Sequence, residues 1–346
     1  MRITATRLIN AKLCFAFERL HFVGSAHTRK KLRFLTSRFI KEKTMANLSV
    51  KLCGVTLKNP VIAASGTYGF GREFHELYDI GQIGGVSTKG MTLEPRLGNP
   101  VPRIAESRGV ILNAVGLQNP GVEHFIESDL AWLKSTGTAV IANVAGKTLE
   151  DYEKICARLD GLVDMIELNI SCPNVKSGGV QFGTSCESVG NITKEVRAHC
   201  KKPLIVKLSP NVTDIASIAQ AAEAEGADAV SMINTLTGMK IDINTRRPII
   251  HNNTGGLSGA AVFPVAVRMV WQVSNAIKIP IIGMGGITTW EDAVEMLIAG
   301  ATALQIGTVL FSDPYAPIKI AEGVNKFLDD NNISSVTELT GTVRPW

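Results

Sequence analysis

Short apolar segments that alternate with helix-length amphipathic segments constrain the fold of this chain more than any other feature. Eight apolar, β-branched runs span residues 61–65, 84–89, 139–146, 164–171, 203–209, 229–235, 280–286 and 303–310. Several of them are apolar throughout, as strands that are covered on both faces must be. Eight β/α repeats that close on themselves predict an α/β fold, a (β/α)8 (TIM) barrel with inserted loops at its C-terminal face.

The segments between these runs support the barrel. Amphipathic helices are predicted over residues 149–162, 192–200, 214–227, 264–277 and 290–300. Asp214 and Thr289 stand where helices should begin, and Gly226 and Gly300 stand where helices should end. An open doubly wound sheet is the alternative, but the GTYGFG run after the first strand lacks the rest of a dinucleotide-binding fingerprint. The segments SVKL and VTLK on either side of Gly54 predict a small hairpin ahead of the barrel.

Charge divides the chain into two unequal parts. Residues 1–44 contain eleven Lys and Arg against two acids, while the whole chain has a formal net charge of +5, so residues 45–346 are slightly acidic. The basic character therefore belongs to the N-terminal segment and does not indicate nucleic-acid binding. We expect residues 1–44 to be a dispensable or poorly ordered extension, with a transit peptide as the alternative, and residues 45–346 to form the barrel domain.

Cysteine usage and hydropathy indicate the environment of the protein. The six cysteines lie far apart with no C-x-x-C pair, which favours neither a structural zinc site nor a disulfide framework. No apolar stretch approaches the length that a membrane span requires. We therefore predict a cytoplasmic protein with no membrane segment.

In a barrel, functional groups gather at the C-terminal ends of the strands. Reading those ends in order gives Ser65, Lys89, Asn143, Asn169, Cys172, Lys207, Asn234, Thr235, Gly285, Gly286, Gly307 and Thr308. The set contains no Asp/Glu cluster and no His pair, so a catalytic metal is not predicted. The glycines after the last two strands stand where barrels bind phosphate, which predicts a phosphate-bearing cofactor.

Three kinds of side chain at these ends predict chemistry. Lys207 lies in an otherwise apolar strand and needs an anion or an acceptor, whether in a salt bridge, as a Schiff-base nucleophile or as a cation beside a flavin. Cys172 precedes a Gly-rich loop at the rim, where a thiol can act as a nucleophile or general base. Several asparagines follow apolar runs and suit a planar, amide-rich ligand, namely Asn113, Asn143, Asn169, Asn174 and Asn234.

A set of motifs extends over residues 45–346 and resembles one enzyme family. STKG, NAVGLQNPG, ELNISCPN, INTLTG, GMGGI and QIGT occur in this order. Together they resemble the class 1 dihydroorotate dehydrogenases, and NVAGKTLEDY and INTLTGMKIDINTRRPIIHNNTGGLSG resemble the NAD-linked subclass 1B. The resemblance implies oxidation of dihydroorotate to orotate in pyrimidine biosynthesis, with Cys172 as the base and FMN as the hydride acceptor.

The resemblance also implies site residues, motif by motif. FMN contacts are implied for Ser65, Lys89, Gly90, Asn143, Asn169, Lys207, Ile233, Gly259, Gly285, Gly286, Gly307 and Thr308. Dihydroorotate contacts are implied for Lys89, Asn113, Ala114, Val115, Gly116, Leu117, Asn169, Asn174, Asn234 and Thr235.

The resemblance implies a partner for electron transfer. Members of subclass 1B pass electrons to NAD through an iron–sulfur flavoprotein subunit that carries FAD and a [2Fe–2S] cluster, in a heterotetramer built around a homodimer of the catalytic chain. A subclass 1A homodimer that reduces fumarate is the nearest alternative. A Schiff-base lyase barrel built on Lys207 is the alternative from another class of enzyme.

Overall fold

A closed barrel of eight parallel strands forms the centre of the fold. The computed structural model describes residues 46–170 and 183–346, and residues Ala46–Trp346 belong to one compact unit. The barrel strands are β1 (Val61–Ala63), β2 (Gly85–Ser87), β3 (Ala139–Val144), β4 (Met165–Asn169), β5 (Leu204–Lys207), β6 (Ala229–Met232), β7 (Ile281–Met284) and β8 (Ala303–Ile306). Each strand pairs with the next, and β8 pairs with β1 to close the cylinder. Every strand lies within a predicted run, so the predicted barrel is confirmed.

Helices surround the barrel. They are α1 (Arg72–His75), α2 (Val122–His124), α3 (Leu130–Ser135), α4 (Leu149–Leu159), α5 (Cys186–His199), α6 (Ile215–Ala224), α7 (Phe263–Ser274), α8 (Trp290–Ala299) and α9 (Ala316–Asn331), and a π-helical turn, Phe125–Asp129, joins α2 to α3. Across residues 46–170 and 183–346, every helix is too short or too polar to cross a lipid bilayer.

Capping side chains explain where several helices begin. Asp214 accepts hydrogen bonds from the backbone of Ala216 and Ser217, and Thr289 forms a reciprocal capping box with Asp292, so both predicted N-caps are confirmed. Helix α5 begins six residues before the predicted start at residue 192. The prediction was wrong there because Ser185 caps the helix by accepting a hydrogen bond from the backbone N–H of Ser188.

The inserted segments above the barrel contain more structure than the predicted loops. Strands Ile104–Ser107, Val110–Asn113, Thr254–Ser258 and Leu236–Met239 form a four-stranded antiparallel sheet, which we call the wall sheet. Strands Ile241–Asp242 and Arg247–Pro248 form a separate ribbon. The predicted N-terminal hairpin is confirmed, with Val50–Leu52 paired to Val55–Leu57.

Candidate active site

A pocket opens at the C-terminal ends of the barrel strands, beside the wall sheet. Most of the predicted site residues line it: Ser65, Lys89, Asn113, Val115, Gly116, Leu117, Asn169, Lys207, Ile233, Asn234, Thr235, Gly259, Gly285, Gly286, Gly307 and Thr308. These residues come from all parts of the described chain, and closure of the barrel brings them to one place. The wall sheet contributes further apolar lining through Ile104, Ile111 and Leu257.

Three predicted site residues lie behind this lining. Asn143 is fully buried, and a Cβ built on Gly90 would lie only 2.8 Å from its Oδ1 atom, so Gly90 makes room for the Asn143 amide. Ala114 is also buried, and its backbone N–H donates a hydrogen bond of 2.7 Å to the carbonyl of Arg103. The structure thus brings Gly90 and Asn143 beneath the pocket and Ala114 beside it.

Two predicted residues lie outside the described part of the chain. Cys172 and Asn174 fall within residues 171–182. Their predicted roles stay predictions.

The charge of the lining favours an anionic ligand. Among the described residues that line the pocket, Lys89 and Lys207 are the charged ones. The Nζ atom of Lys89 lies beside the loop after β1, because a Cβ built on Gly66 would be 3.9 Å from it. Two ammonium groups that line one concave site attract carboxylate or phosphate groups.

The end of β7 lies against the start of α7. Gly285 and Gly286 have φ angles of +120° and +78°, and Gly259 has a φ angle of +123°. A Cβ built on Gly286 would lie 2.7 Å from the backbone N of Phe263 and 2.9 Å from the carbonyl oxygen of Gly259. Glycine is required at this close approach, which sets pocket-lining backbone beside the N-terminal end of a helix, where anions bind favourably.

A layer of polar side chains fills the barrel beneath the pocket. It consists of Ser87 on β2, Glu167 on β4, Ser231 on β6 and Gln305 on β8, and we call it the polar layer. Ser87 and Ser231 donate hydrogen bonds of 2.7 Å to the Glu167 carboxylate, and the Gln305 amide donates one of the same length. Alternate strands normally supply bulky apolar side chains to such a layer. The polar layer therefore differs from the usual apolar filling of a barrel, and this difference needs a physical explanation.

Glu167 is ionised although it is fully buried. Burial alone would raise the pKa of its carboxyl group. The nearby Lys207 ammonium group and the hydrogen bonds from Ser231, Ser87 and Asn143 lower the pKa by more than burial raises it, so the pKa lies below its usual value. The sequence prediction missed Glu167. The signal was present, because an acid in the middle of an apolar strand needs a partner as much as Lys207 does.

Three of the predicted asparagines form a chain of amides that ends on Glu167. The Asn143 amide donates a hydrogen bond of 2.6 Å to the carboxylate, and Asn169 donates one of 3.4 Å to the Asn143 side-chain oxygen. Asn234 in turn donates a hydrogen bond of 3.2 Å to the Asn169 side-chain oxygen. This amide chain connects the lining of the pocket with the polar layer.

Fold and pocket together define a (β/α)8-barrel enzyme, because catalysis in this architecture takes place at the strand ends that converge here on the pocket. The model of the dihydroorotate dehydrogenase family matches residues 47–328. The chain belongs to the dihydroorotate dehydrogenase family, and the resemblance predicted from its motifs is confirmed.

Similar proteins agree with this assignment. A relative from Lachnoclostridium phytofermentans is 55% identical over 299 residues, which is 86% of this chain and 100% of the relative. A relative from Bacteroides thetaiotaomicron is 54% identical over 301 residues, which is 86% of this chain and 99% of the relative. Both are named dihydroorotate dehydrogenase B (NAD(+)), catalytic subunit.

A solved structure supports the fold. The crystal structure of DHODH in complex with ferulenol from Eimeria tenella aligns with a TM-score of 0.73 at 23% identity. The alignment covers 86% of this chain and 89% of that chain. At this level of identity the likeness concerns the barrel architecture.

Proposed function

We propose that this chain is a catalytic subunit that oxidises dihydroorotate to orotate for pyrimidine synthesis and passes the electrons to NAD+ through a partner subunit. Membership of the family and the names of relatives that are 54–55% identical support this function. The observation that carries it is the convergence of the predicted flavin and substrate contacts on one pocket at the strand ends.

The described residues fit FMN. Gln305 lines the pocket at 1% exposure, and its Oε1 atom accepts no hydrogen bond from the residues that the structure describes, so this buried oxygen is an acceptor that a ligand N–H would satisfy. Gly259 and, at the end of β7, Gly285 and Gly286, which lie beside the start of α7, would hold the phosphate together with Gly307 and Thr308. When bound, FMN supplies the hydride acceptor. Lys207 places a positive charge against a ligand that gains electrons.

The substrate would lie on the open side of the pocket. Dihydroorotate carries a carboxylate and a ring with several N–H and C=O groups, which match the Lys89 ammonium and the amides of Asn113, Asn169 and Asn234. The wall sheet supplies apolar surface above the ring. These contacts would hold the substrate in place while C6 gives up a hydride, and Cys172 would take the proton from C5 as the general base.

The partner subunit carries the remaining electron-transfer groups in this proposal. The name "catalytic subunit" of the relatives implies a second chain. We propose an iron–sulfur flavoprotein with FAD and a [2Fe–2S] cluster, assembled with this chain as a heterotetramer around a homodimer. A cytoplasmic location fits this soluble electron route. The subclass 1A alternative needs no partner and delivers electrons to fumarate.

Anaerobic titration of the purified chain with dihydroorotate tests the proposal. The flavin absorbance near 450 nm should bleach, and NAD+ should restore it only after the partner subunit is added. Recovery with fumarate alone would favour the 1A alternative, and a colourless protein that takes up no FMN would refute the proposal. Cys172→Ser should retain FMN but reduce it far more slowly, least slowly at high pH, whereas Cys186→Ser, at an exposed cysteine, should behave as the parent.

We also infer that residues 1–44 lie outside the catalytic domain 45–346. The family match begins at residue 47, which supports this division. Deletion of residues 1–44 should therefore leave FMN content and turnover unchanged. A loss of either would assign the segment a part in the enzyme.

A further inference from the structure

The polar layer contains one carboxylate whose four hydrogen bonds come from four different strands. Glu167 Oε1 accepts from Ser231 and Gln305, and Oε2 accepts from Ser87 and Asn143. The residue is fully buried. A carboxylate in this position is costly unless it serves the groups around it.

An ionised carboxylate can only accept hydrogen bonds, and this fixes the orientation of each neighbouring amide. Asn143 must turn its NH2 group toward Glu167, so its oxygen is presented to Asn169. Asn169 then presents its own oxygen to Asn234. Glu167 thereby sets the direction of the whole amide chain from its buried end.

The same argument applies to Gln305. Because its NH2 group donates to Glu167, its Oε1 atom is directed elsewhere, and this atom accepts no hydrogen bond from the described residues. Gln305 lines the pocket. The hydrogen bond to the carboxylate thus leaves Oε1 as a buried acceptor that is available to a donor other than Glu167.

Glu167 also lies close to Lys207, a cation that lines the pocket floor. Lys207 is 6% exposed, and its register partners are Asn169 on β4 and Ser231 on β6. Both partners are hydrogen-bonded into the network of Glu167. A buried ammonium group is costly unless a negative charge or strong acceptors compensate for the water that it has lost.

We propose that Glu167 is a positioning residue, which orients the amides of Gln305, Asn143, Asn169 and Asn234 and supplies the negative charge that compensates for the Lys207 ammonium group at the pocket floor. The use of that floor for flavin and dihydroorotate rests on the proposed function. The arrangement of charges and amides does not.

A double-mutant cycle on stability tests the charge pairing without any ligand. Glu167→Gln keeps the shape of the side chain, so with Lys207 present it should raise the unfolding equilibrium constant on the order of 100-fold or more. Lys207→Met leaves the carboxylate without its compensating charge. In that background Glu167→Gln should lower the unfolding constant, which is a reversal of sign.

A matched control comes from another buried carboxylate. Asp129 is 6% exposed and pairs with Arg72 at 2.7 Å, and it does not line the pocket. Asp129→Asn should destabilise the chain by the same factor with and without Lys207→Met. If Glu167→Gln behaves like Asp129→Asn in this respect, the proposed pairing is refuted. If Glu167→Gln alone does not fold, the comparison of Lys207→Met with the double variant still shows whether Glu167→Gln lowers the unfolding constant when Lys207 is absent.

The orientation of the amides is tested by ligand binding to the flavin-loaded protein. Orotate affinity, read from the shift of the flavin spectrum, should fall at least tenfold in Glu167→Gln and stay unchanged in Asp129→Asn. The midpoint potential of the bound flavin should depend on pH differently from that of the parent in Glu167→Gln, because the buried negative charge beside Lys207 is gone, and it should run parallel to the parent in the control.

The two proposals fail in different ways. An unchanged orotate affinity and a parallel potential in Glu167→Gln would overturn the positioning role. A parent protein that binds neither FMN nor orotate, yet shows the sign reversal in the stability cycle, would refute the proposed function and leave the pairing of Glu167 with Lys207 in place.

Discussion

Replacement of Gly286 by alanine tests the close approach that forms one end of the pocket. A Cβ at this position would lie 2.7 Å from the backbone N of Phe263, 2.8 Å from its Cβ and 2.9 Å from the carbonyl oxygen of Gly259. Two of these three atoms belong to the backbone and cannot rotate away. The start of α7 must therefore move by roughly half an ångström, in an interior that is closely packed.

The cost of Gly286→Ala has two parts. The φ angle of +78° costs a non-glycine residue about 1–2 kcal/mol, and overpacking adds about 1–3 kcal/mol. Gly137 provides a matched control, since its φ angle is +72° but nothing lies within 4 Å of a Cβ built there. Gly137→Ala therefore carries only the first part.

Thermal unfolding and flavin retention measure the difference. At roughly 2 °C per kcal/mol, Gly137→Ala should lower the melting temperature by about 2–4 °C and Gly286→Ala by about 4–10 °C. If the start of α7 holds the FMN phosphate as proposed, FMN should be retained through desalting by Gly137→Ala and largely lost by Gly286→Ala, in which the helix start is displaced. Equal melting temperatures and equal flavin content in the two variants would refute the reasoning.

Three further measurements follow from the structure. The pKa of Glu167 in the folded state lies below its ordinary value of 4.5, so the carboxylate contributes its full stabilisation above pH 4.5 and loses it as the pH falls below that value. In urea-unfolding series at different pH, Glu167→Gln should therefore reduce the loss of unfolding free energy at acid pH. An unchanged loss would argue against an ionised Glu167. Burial and the charge of Asp228 raise the pKa of Cys53 to about 12. At pH 8, iodoacetamide should therefore label Cys53 far more slowly than the exposed Cys186, as measured by mass spectrometry. Equal labelling rates would contradict this expectation. Thr289→Ala removes a capping box and should cost about 1 kcal/mol in chemical unfolding, whereas full retention of stability would show that the cap is dispensable.

The barrel could be predicted from the sequence because its strands are buried on both faces. Runs such as residues 139–146 and 203–209 are apolar without alternation, and this pattern is local and strong. The capping residues Asp214 and Thr289 also act within three residues of the chain, so their roles are legible in the sequence.

The wall sheet could not be predicted in the same way. Its strands are short and mostly half-buried or exposed, so they carry a weak hydropathy signal. Their pairing is also distant in sequence, as in the register of Ile111 with Ser258 and of Leu112 with Leu257. Such partners are determined by where the barrel delivers the two segments, and no local pattern encodes this.

The candidate site also contains one part that could be predicted from the sequence and one part that could not. The strand-end rule predicted the pocket residues that follow the barrel strands, because parallel strands in a closed barrel must end on one face, while residues such as Val115 and Gly259 were predicted only from the family resemblance. The polar layer escaped the prediction because Ser87, Glu167, Ser231 and Gln305 meet only across the barrel axis. The energetic cost of burying a charge shows from the sequence that Lys207 and Glu167 each need a partner. Which partner each one has depends on the register of strands that lie far apart in the chain.

The residues that line the pocket belong to two separate parts of the fold, the wall sheet and the barrel. Asn113, Leu257 and Ser258 face the pocket from strands that belong to excursions of the chain outside the barrel. The glycines and lysines at the strand ends belong to the cylinder itself. Substitutions in the wall sheet could therefore widen one side of the pocket for a bulkier ligand, while the strand ends of the barrel kept their shape.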